Sequence, residues 1–446
     1  MARRYESWGR YPDVVQRSVV ASSRFDPFPS PVDDKSALPF GNGRSYGDCC
    51  LNDRGAVIDT QRLDQFIAFD SNRGILRCES GVLLRDILAL SVSRGWFLPV
   101  TPGTQLVTVG GAVANDVHGK NHHRAGTFGC HVRCFELLRS DGERRECSRD
   151  ENSELFNATV AGLGLTGLIT WVELQLKPIA TAMVDVESLK FSSLAEFFHV
   201  SDASDVRWEY TVAWVDALAP STAIGRGLFL RGNHASEAEP AAHAARKTRQ
   251  RMRIALDVPG FVLNHYAMRV FNSTYYHRQR RKVARSQSDY VPFFYPLDVV
   301  GDWNRLYGKR GFFQFQCVVP RADGERVIGE ILRRVRAAHD GSFLSVLKVF
   351  GEQASPGMLS FPRPGVTLAL DVPNHGEDTL RLLRELDALV CEAKGAIYPA
   401  KDATMSPESF RTYYPAWEEF TKHMDPACSS TFWRRVMGRG STTADA

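Results

Sequence analysis

Residues 108–123 read TVGGAVANDVHGKNHH, and residues 41–48 read GNGRSYGD. Both stretches place glycines beside hydroxyl or amide groups and one ring side chain, Tyr46 in the shorter stretch and His118 in the longer one. Glycines leave backbone N–H groups bare for phosphates, and the few side chains are available to a reactive ring. We therefore interpret the pair as the binding site of a long anionic cofactor, flavin adenine dinucleotide (FAD).

Other interpretations of these residues are weaker. A single glycine-rich stretch is most often a tight turn, whereas two of them in one domain favour a bound dinucleotide. Residues 162–167, GLGLTG, match G-x-G-x-x-G, but a helix-like segment precedes them and a strand-like one follows, the reverse of the order in a Rossmann site. His118 and His122 are four residues apart, but Gly119 interrupts the helix and no acidic ligand is near, so we predict no metal site.

Composition sets the class of protein. The chain has 446 residues, of which 43% are hydrophobic and 24% charged, as in a globular protein of two or three domains. A net charge of +4 gives no reason to expect a nucleic-acid partner. Nine cysteines without a CxxC pair fit a reducing compartment. Because we find neither a signal peptide nor an apolar run of about 18 residues, we expect a cytoplasmic protein or one peripheral to the inner membrane.

The pattern of predicted strands and helices changes twice along the sequence, near residues 180 and 395. Residues 55–180 alternate short strands with helices, and longer strand-like runs follow Pro178. We predict domain segments at residues 1–179, 180–395 and 396–446. Residues 312–320, FFQFQCVVP, alternate large apolar and polar side chains and predict a half-buried strand whose outward or pocket-facing residues are Gln314 and Gln316.

Two cationic clusters flank an apolar and aromatic stretch. They are residues 246–253, RKTRQRMR, and residues 277–285, HRQRRKVAR. One interpretation is a pair of solvated helix faces around a core segment. The other is an interfacial patch that meets anionic lipid headgroups. The sequence leaves both open.

Several motifs together carry a family resemblance. They are GNGRSYGD, LPVTPGTQLVTVGGAVANDVHGKNHHRAGTFG, AGLGLTGLI, FYPLDVVGDWNRLYG, FFQFQCVVP and IYPAKDA. The chain resembles the vanillyl-alcohol-oxidase-type FAD proteins, and among them the decaprenylphosphoryl-β-D-ribose 2′-oxidases. The likeness covers most of residues 40–425.

The resemblance implies an α+β fold in which an FAD-binding domain is built from an N-terminal part and a C-terminal return, with a substrate domain on an antiparallel sheet inserted between them. It implies oxidation of the ribose 2′-hydroxyl of a polyprenylphosphoryl-β-D-ribose to a ketone, for cell-wall arabinan. An NAD(P)H-dependent short-chain reductase would complete the epimerisation to arabinose. Many relatives carry a flavin-bound histidine where this chain has Arg44, so we predict non-covalent FAD.

The resemblance also assigns roles to residues. Lys401 would act as a base after losing its charge, or as a cation that stabilises negative charge. Tyr46 and His118 would orient the substrate or the flavin, and the substrate set is Gln314, Gln316, Lys348 and Trp214. The cofactor set is Gly41, Asn42, Gly43, Arg44, Ser45, Tyr46, Gly47, Gly103, Thr108, Val109, Gly110, Gly111, Asn115, His118, Gly119, Ile169 and Tyr398.

Two further hypotheses remain. The chain could oxidise a soluble sugar, alditol or aldonolactone, or it could be a non-catalytic flavin or membrane scaffold. Ala369 stands where the best-known members of the family carry a cysteine. Since that position is expected at the pocket, the departure leaves the identity of the sugar and the lipid open.

Overall fold

The computed structural model describes residues 5–29, 36–237, 252–254, 256–259, 264–338, 342 and 344–438. Within these ranges the chain forms an α+β fold around three main sheets. The first is a three-stranded parallel sheet in the order β1-β3-β2, made of β1 (Arg17–Val20), β2 (Ala37–Phe40) and β3 (Ala56–Asp59). All four residues of the central strand β3 are buried. The glycine-rich residues 41–48 leave the end of β2, so this sheet anchors them.

The second sheet is antiparallel and has the order β4-β5-β9-β7-β8. The strands of this part are β4 (Phe66–Asp70), β5 (Ile75–Glu79), β6 (Trp96–Phe97), β7 (Val132–Leu138), β8 (Arg144–Ser148), β9 (Leu168–Gln175) and β10 (Lys177–Pro178), with β6 pairing β10. The helices are α1 (Leu84–Ser91), α2 (Val109–Ala114), α3 (His122–Ala125) and α4 (Ser153–Thr159). Residues 162–167 join α4 to β9, a helix-to-strand order that confirms the argument against a Rossmann site.

The third sheet is antiparallel and eight-stranded, in the order β15-β11-β13-β12-β18-β19-β17-β20. Its strands are β11 (Met183–Phe191), β12 (Tyr210–Val215), β13 (Gly227–His234), β15 (Val283–Asp289), β17 (Phe312–Val319), β18 (Ser345–Phe350), β19 (Gly365–Pro373) and β20 (Ala396–Ile397); β14 (Met252–Arg253) pairs β16 (Val300–Gly301) separately. The helices from α5 onwards are α5 (Leu194–Ser204), α6 (His265–His277), α7 (Tyr290–Phe294), α8 (Gly324–Ala337), α9 (Glu377–Glu392), α10 (Pro407–Tyr413), α11 (Trp417–Thr421) and α12 (Thr431–Val436).

Strand β17 differs from its prediction. Every residue of β17 is buried, so the expectation of a half-buried strand is wrong. The cause is that apolar residues of α8 and α9 join the core on one side of the sheet, while a large cavity lies on the other. Gln314 and Gln316 face that cavity, which is the pocket-facing orientation of the two that the sequence allowed.

The C-terminal segment closes around the first glycine-rich loop. The backbone N–H of Tyr46 donates to the carbonyl oxygen of Ala400 at 2.8 Å. A Cβ added to Gly47 would lie 1.7 Å from the carbonyl oxygen of Asp402. Arg435 on α12 lies 2.8 Å from a carboxylate oxygen of Asp48 and of Asp402. These contacts hold a late segment of the chain against an early one; the domain bounds at 179 and 395 remain predictions.

Two observations bear on the membrane. Among the described helices, none is both long and apolar enough to cross a bilayer. Of the first cationic cluster, residues 246–251 lie outside the described residues, and Arg253 pairs with Asp302 at 2.6 Å. The second cluster, residues 277–285, runs from the end of α6 into β15.

Candidate active site

A cavity of about 710 Å³ lies between the two glycine-rich segments and the eight-stranded sheet. Its volume is within the range of roughly 300–1,000 Å³ that is typical of ligand pockets. The predicted residues that line it are Gly41, Asn42, Gly43, Arg44, Ser45, Tyr46, Gly103, Thr108, Gly110, Gly111, Asn115, His118, Gly119, Ile169, Trp214, Gln314, Gln316, Lys348, Tyr398 and Lys401. The structure places two others elsewhere: Val109 is in the hydrophobic core, and Gly47 packs on Asp402.

The two glycine-rich segments touch each other. Thr108 caps helix α2 by accepting a hydrogen bond from the backbone of Gly111 at 3.2 Å. A Cβ on Gly41 would lie 2.3 Å from Oγ1 of this threonine, so the contact requires glycine. Gly43 has a φ of +59°, a conformation that favours glycine. One wall of the cavity is therefore largely backbone, as a dinucleotide requires.

Arg44 supplies a half-buried cation. Its Cζ lies 4.0 Å above the ring of Trp8. Burial lowers its pKa, and the charge of Asp298 partly opposes that effect. Its Nε is buried and has no hydrogen-bond partner among the described residues. A half-buried guanidinium with a buried, spare donor fits an anionic cofactor. Together with the glycine wall and the cavity volume, it shows that these residues fit FAD.

A hydrogen-bonded row crosses the cavity wall from Lys401 to Asp371. Nζ of Lys401 lies 4.0 Å from the centre of the Tyr46 ring and donates to Oε1 of Gln314. Nε2 of Gln314 donates in turn to Oδ1 of Asp371. The pairing of β17 with β19 places Gln314 directly opposite Asp371, which explains why one amide can hold both groups.

The buried row perturbs both ends. Burial lowers the pKa of Lys401 to about 8, although the charge of Asp371 acts to raise it. Burial raises the pKa of Asp371 to about 7, against the hydrogen bond from Gln314 and the charge of Lys401. Sequence reasoning missed Asp371, whose signal was one carboxylate in the otherwise apolar run LALDV.

His118 forms a second group with residues from two strands. Nζ of Lys348 lies 3.1 Å from Nδ1 of His118 and donates to the carbonyl oxygen of Gly119 at 3.1 Å. Nε2 of Gln316 lies 3.0 Å from Nε2 of the same imidazole. Burial, followed by the charge of Lys348, lowers the pKa of His118 well below its usual value, so the imidazole is neutral at neutral pH. Burial lowers the pKa of Lys348 to about 7.

Lys120 is a further amine of the cavity, half-buried, that sequence reasoning missed. It donates to the carbonyl oxygen of Phe293, and its Nζ lies 4.5 Å from the centre of that ring. Burial lowers its pKa to about 7. Its only signal was its place in HGKNHH, because the partner lies 173 residues later.

In the described part of the chain, no group of three or more His, Cys, Asp or Glu side chains is placed to hold a metal ion.

Comparison with known proteins identifies the family and the cofactor. Residues 33–148 match the family model described as an FAD binding domain. The chain is 34% identical over 432 residues to the decaprenylphosphoryl-β-D-ribose oxidase of Mycolicibacterium smegmatis, covering 93% of this chain and 90% of that protein. The chain belongs to the decaprenylphosphoryl-β-D-ribose oxidase family. It is an FAD-dependent oxidoreductase, which confirms the predicted family, α+β fold class and cofactor.

Other relatives of this family member are less informative. An uncharacterised protein of Streptomyces coelicolor is 35% identical over 351 residues, 76% of this chain and 94% of that protein. The L-gulonolactone oxidase of Mus musculus is 29% identical over 147 residues, 32% of either chain. The latter match covers too little of either protein to bear on the reaction.

Proposed function

We propose that this chain oxidises the 2′-hydroxyl of the ribose in a polyprenylphosphoryl-β-D-ribose to a 2′-ketone. The observation that carries the proposal is the row from Lys401 through Gln314 to the buried Asp371, because Lys401 and Gln314 line the same cavity as the neutral His118. The name of the mycolicibacterial relative supports the choice of substrate.

Alcohol oxidation needs a hydride acceptor and a route for the hydroxyl proton. When bound, FAD supplies the hydride acceptor. Lys401 takes the proton in this proposal, since a pKa of about 8 leaves a useful fraction of neutral amine near neutral pH. Gln314 fixes the direction of that amine, and Asp371 holds the Gln314 amide in place. Burial keeps the Tyr46 hydroxyl protonated by raising its pKa, so it donates to substrate rather than competing as a base.

The remaining lining residues bind and orient. Lys348 and Lys120 both line the cavity and supply two amines that a substrate phosphate would recharge, because a nearby anion raises the pKa of a lysine. His118, held by Gln316 and Lys348, presents a fixed neutral imidazole to the sugar. Trp214 forms an apolar wall for the sugar face or the first prenyl unit.

The cofactor is held without a covalent bond in this proposal. Arg44 stands at the position of the linking histidine of other relatives, and a guanidinium stays protonated rather than acting as a nucleophile. When FAD is bound, the cavity-lining residues Gly41, Gly43, Gly110 and Gly111 would hold the diphosphate, and Tyr398 would lie against the ring. Acid precipitation of the purified yellow protein should leave the flavin in the supernatant; flavin in the pellet contradicts this assignment.

The product sets the next step. A 2′-keto sugar linked to a polyprenyl phosphate must be reduced to yield arabinose. We assign that reduction to a separate NAD(P)H-dependent short-chain reductase. Supplying such a reductase and NADH should convert the product to the arabino epimer, detected after release of the sugar.

The test is anaerobic mixing of the FAD-loaded chain with polyprenylphosphoryl-β-D-ribose, followed at the visible flavin band. We expect bleaching, and borodeuteride reduction of the product should place deuterium at C2′. The Lys401→Met variant should retain FAD and bleach at least about 100-fold more slowly, as expected for loss of a general base. Lys422→Met, an exposed lysine that pairs with Glu419, is the matched control. Bleaching by free alditols or aldonolactones, but not by the lipid-linked sugar, would favour the soluble-substrate alternative.

A further inference from the structure

Helix α6 carries apolar side chains on its solvent side. Tyr266 is 77% exposed, Val270 67% and Phe271 50%. The opposite side of the helix is buried through Met268 and Tyr276, which lie at the helical spacing of their own face. A helix at a protein surface ordinarily turns charged residues to water, so this exposed apolar stripe indicates an interaction surface.

Helix α9 gives the contrast within the same molecule. It is also amphipathic, with Leu382 and Leu386 buried. Its exposed side carries ion pairs, Arg381 with Asp378 and Arg384 with Glu377, rather than apolar rings. The exposed stripe of α6 is therefore a property of that helix and not of the surface in general.

Cations surround the stripe. A cleft of about 400 Å³ beside α6 is lined by Arg269, Arg333 and Arg336. Arg280 and Arg281 follow the helix, and β15 is exposed along its first five residues.

Few carboxylates answer these charges. Among the described residues, Glu330 pairs with Arg333, Glu196 with Lys282 and Glu187 with Arg285. The other four arginines have no carboxylate within ion-pair distance in that part of the chain, namely Arg269, Arg280, Arg281 and Arg336. The described residues around the stripe therefore carry an excess of positive charge.

The same surface borders the mouth of the cavity. Cζ of Arg278 lies 3.7 Å above the ring of Tyr275, and this ring lies 4.6 Å from that of Trp214. All three residues line the cavity. The end of α6 thus connects the apolar stripe to the entrance of the candidate active site.

We propose that α6 and the arginines around it bind the surface of an anionic phospholipid bilayer, with the helix lying in the plane of the headgroups. The apolar stripe enters the boundary between headgroups and acyl chains, while the arginines contact phosphates. An uncharged partner surface would leave these cations unmatched. An acidic polar surface would give the apolar stripe no apolar phase to enter. The role of this contact in delivering a polyprenyl-linked substrate rests on the proposed function; the binding itself does not.

Vesicle flotation of the full-length, FAD-loaded chain tests the proposal. Vesicles of phosphatidylcholine with phosphatidylglycerol are compared with vesicles of phosphatidylcholine alone. We expect binding to the anionic vesicles only, reduced by salt. The double variant Tyr266→Ser/Val270→Ser should lower the partition coefficient at least tenfold. Arg280→Gln/Arg281→Gln should lower it about 25-fold, at about fivefold for each cation near the surface.

The matched control changes two exposed apolar residues elsewhere. Phe25 and Val206 are 75% and 84% exposed, and Phe25→Ser/Val206→Ser should bind vesicles as the unmodified chain does. FAD content and the thermal midpoint check that each variant is folded. The proposal is overturned if Tyr266→Ser/Val270→Ser and Arg280→Gln/Arg281→Gln both float as the control does. It is also overturned if the unmodified chain does not bind vesicles. Light scattering that shows a dimer dispersed by Tyr266→Ser/Val270→Ser also overturns it, in favour of a second copy on this face.

A separate readout distinguishes this proposal from the proposed function. A short-chain polyprenylphosphoryl ribose that is soluble without vesicles should bleach the flavin of the stripe variants at the unmodified rate. The same variants should be slow on the long-chain sugar presented in anionic vesicles. Equal rates on the vesicle substrate contradict the docking surface. Failure of every lipid-linked sugar to bleach the flavin contradicts the proposed function alone, because flotation is scored independently.

Discussion

Replacing Asp371 with asparagine separates the two roles open to Lys401. The asparagine oxygen can still accept the hydrogen bond from Gln314, so the row keeps its shape while the negative charge is lost. One amide between two hydrogen bonds sets a separation of roughly 6–8 Å, and at an effective dielectric constant of about 20 this gives roughly 2–3 kcal/mol between unit charges. The pKa of Lys401 should then fall by about 1.5 to 2 from its value near 8.

The sign of the change in activity depends on the role of the lysine. As a base, Lys401 is active when neutral, so the rate of flavin reduction rises with pH through its pKa, and Asp371→Asn moves this rising limb to lower pH. As a cation, Lys401 is active when charged, so the rate falls as the pH rises above its pKa. Asp371→Asn then moves this falling limb to lower pH. We expect the first result.

The assay is stopped-flow flavin reduction under anaerobic conditions across neutral and mildly alkaline pH. Asp378→Asn, at a carboxylate 75% exposed on α9, is the control and should leave both limbs in place. If Asp371→Asn retains FAD and neither limb moves by more than about 0.3 in pH, the coupling between Asp371 and Lys401 is refuted. A shift of the falling limb alone would assign Lys401 as the cation.

Three further changes test the site and its frame. Gly41→Ala should weaken FAD retention on gel filtration because the two glycine-rich segments must separate. Gly329→Ala should not, because its Cβ would meet only the side-chain ends of Arg333 and Leu194, at 3.3 and 3.6 Å. Arg435→Met should destabilise the chain by about 3–5 kcal/mol in denaturant unfolding, since two carboxylates lose their buried partner; a loss below about 1 kcal/mol would contradict this. Lys348→Met should raise KM for the phosphorylated sugar at least about tenfold with a smaller effect on kcat, and an unchanged KM would remove this lysine from the phosphate site.

Local sequence signals predicted the parts of the site that are local in structure. The glycines at residues 41–43 and 108–111 predict a wall made of backbone, because the absence of a side chain can be read directly from the sequence. The likeness of IYPAKDA to known oxidases predicted a site role for Lys401, and this lysine lines the same cavity.

What sequence reasoning missed depends on register and on distant partners. Asp371 becomes informative only when β19 is known to place it opposite Gln314 on β17. Lys120 is informative only when its burial against Phe293 is known. Strand β17 was predicted to be half-buried because a glutamine that lines a cavity and one that faces solvent produce the same alternation of apolar and polar residues in the sequence.

The clasp between Arg435 and the two carboxylates Asp48 and Asp402 has a consequence for biosynthesis. A ribosome must deliver nearly the whole described chain before loop and return segment can meet. FAD binding is therefore a late event in synthesis. A nascent chain that is released before α12 has been made would carry no flavin and would be colourless.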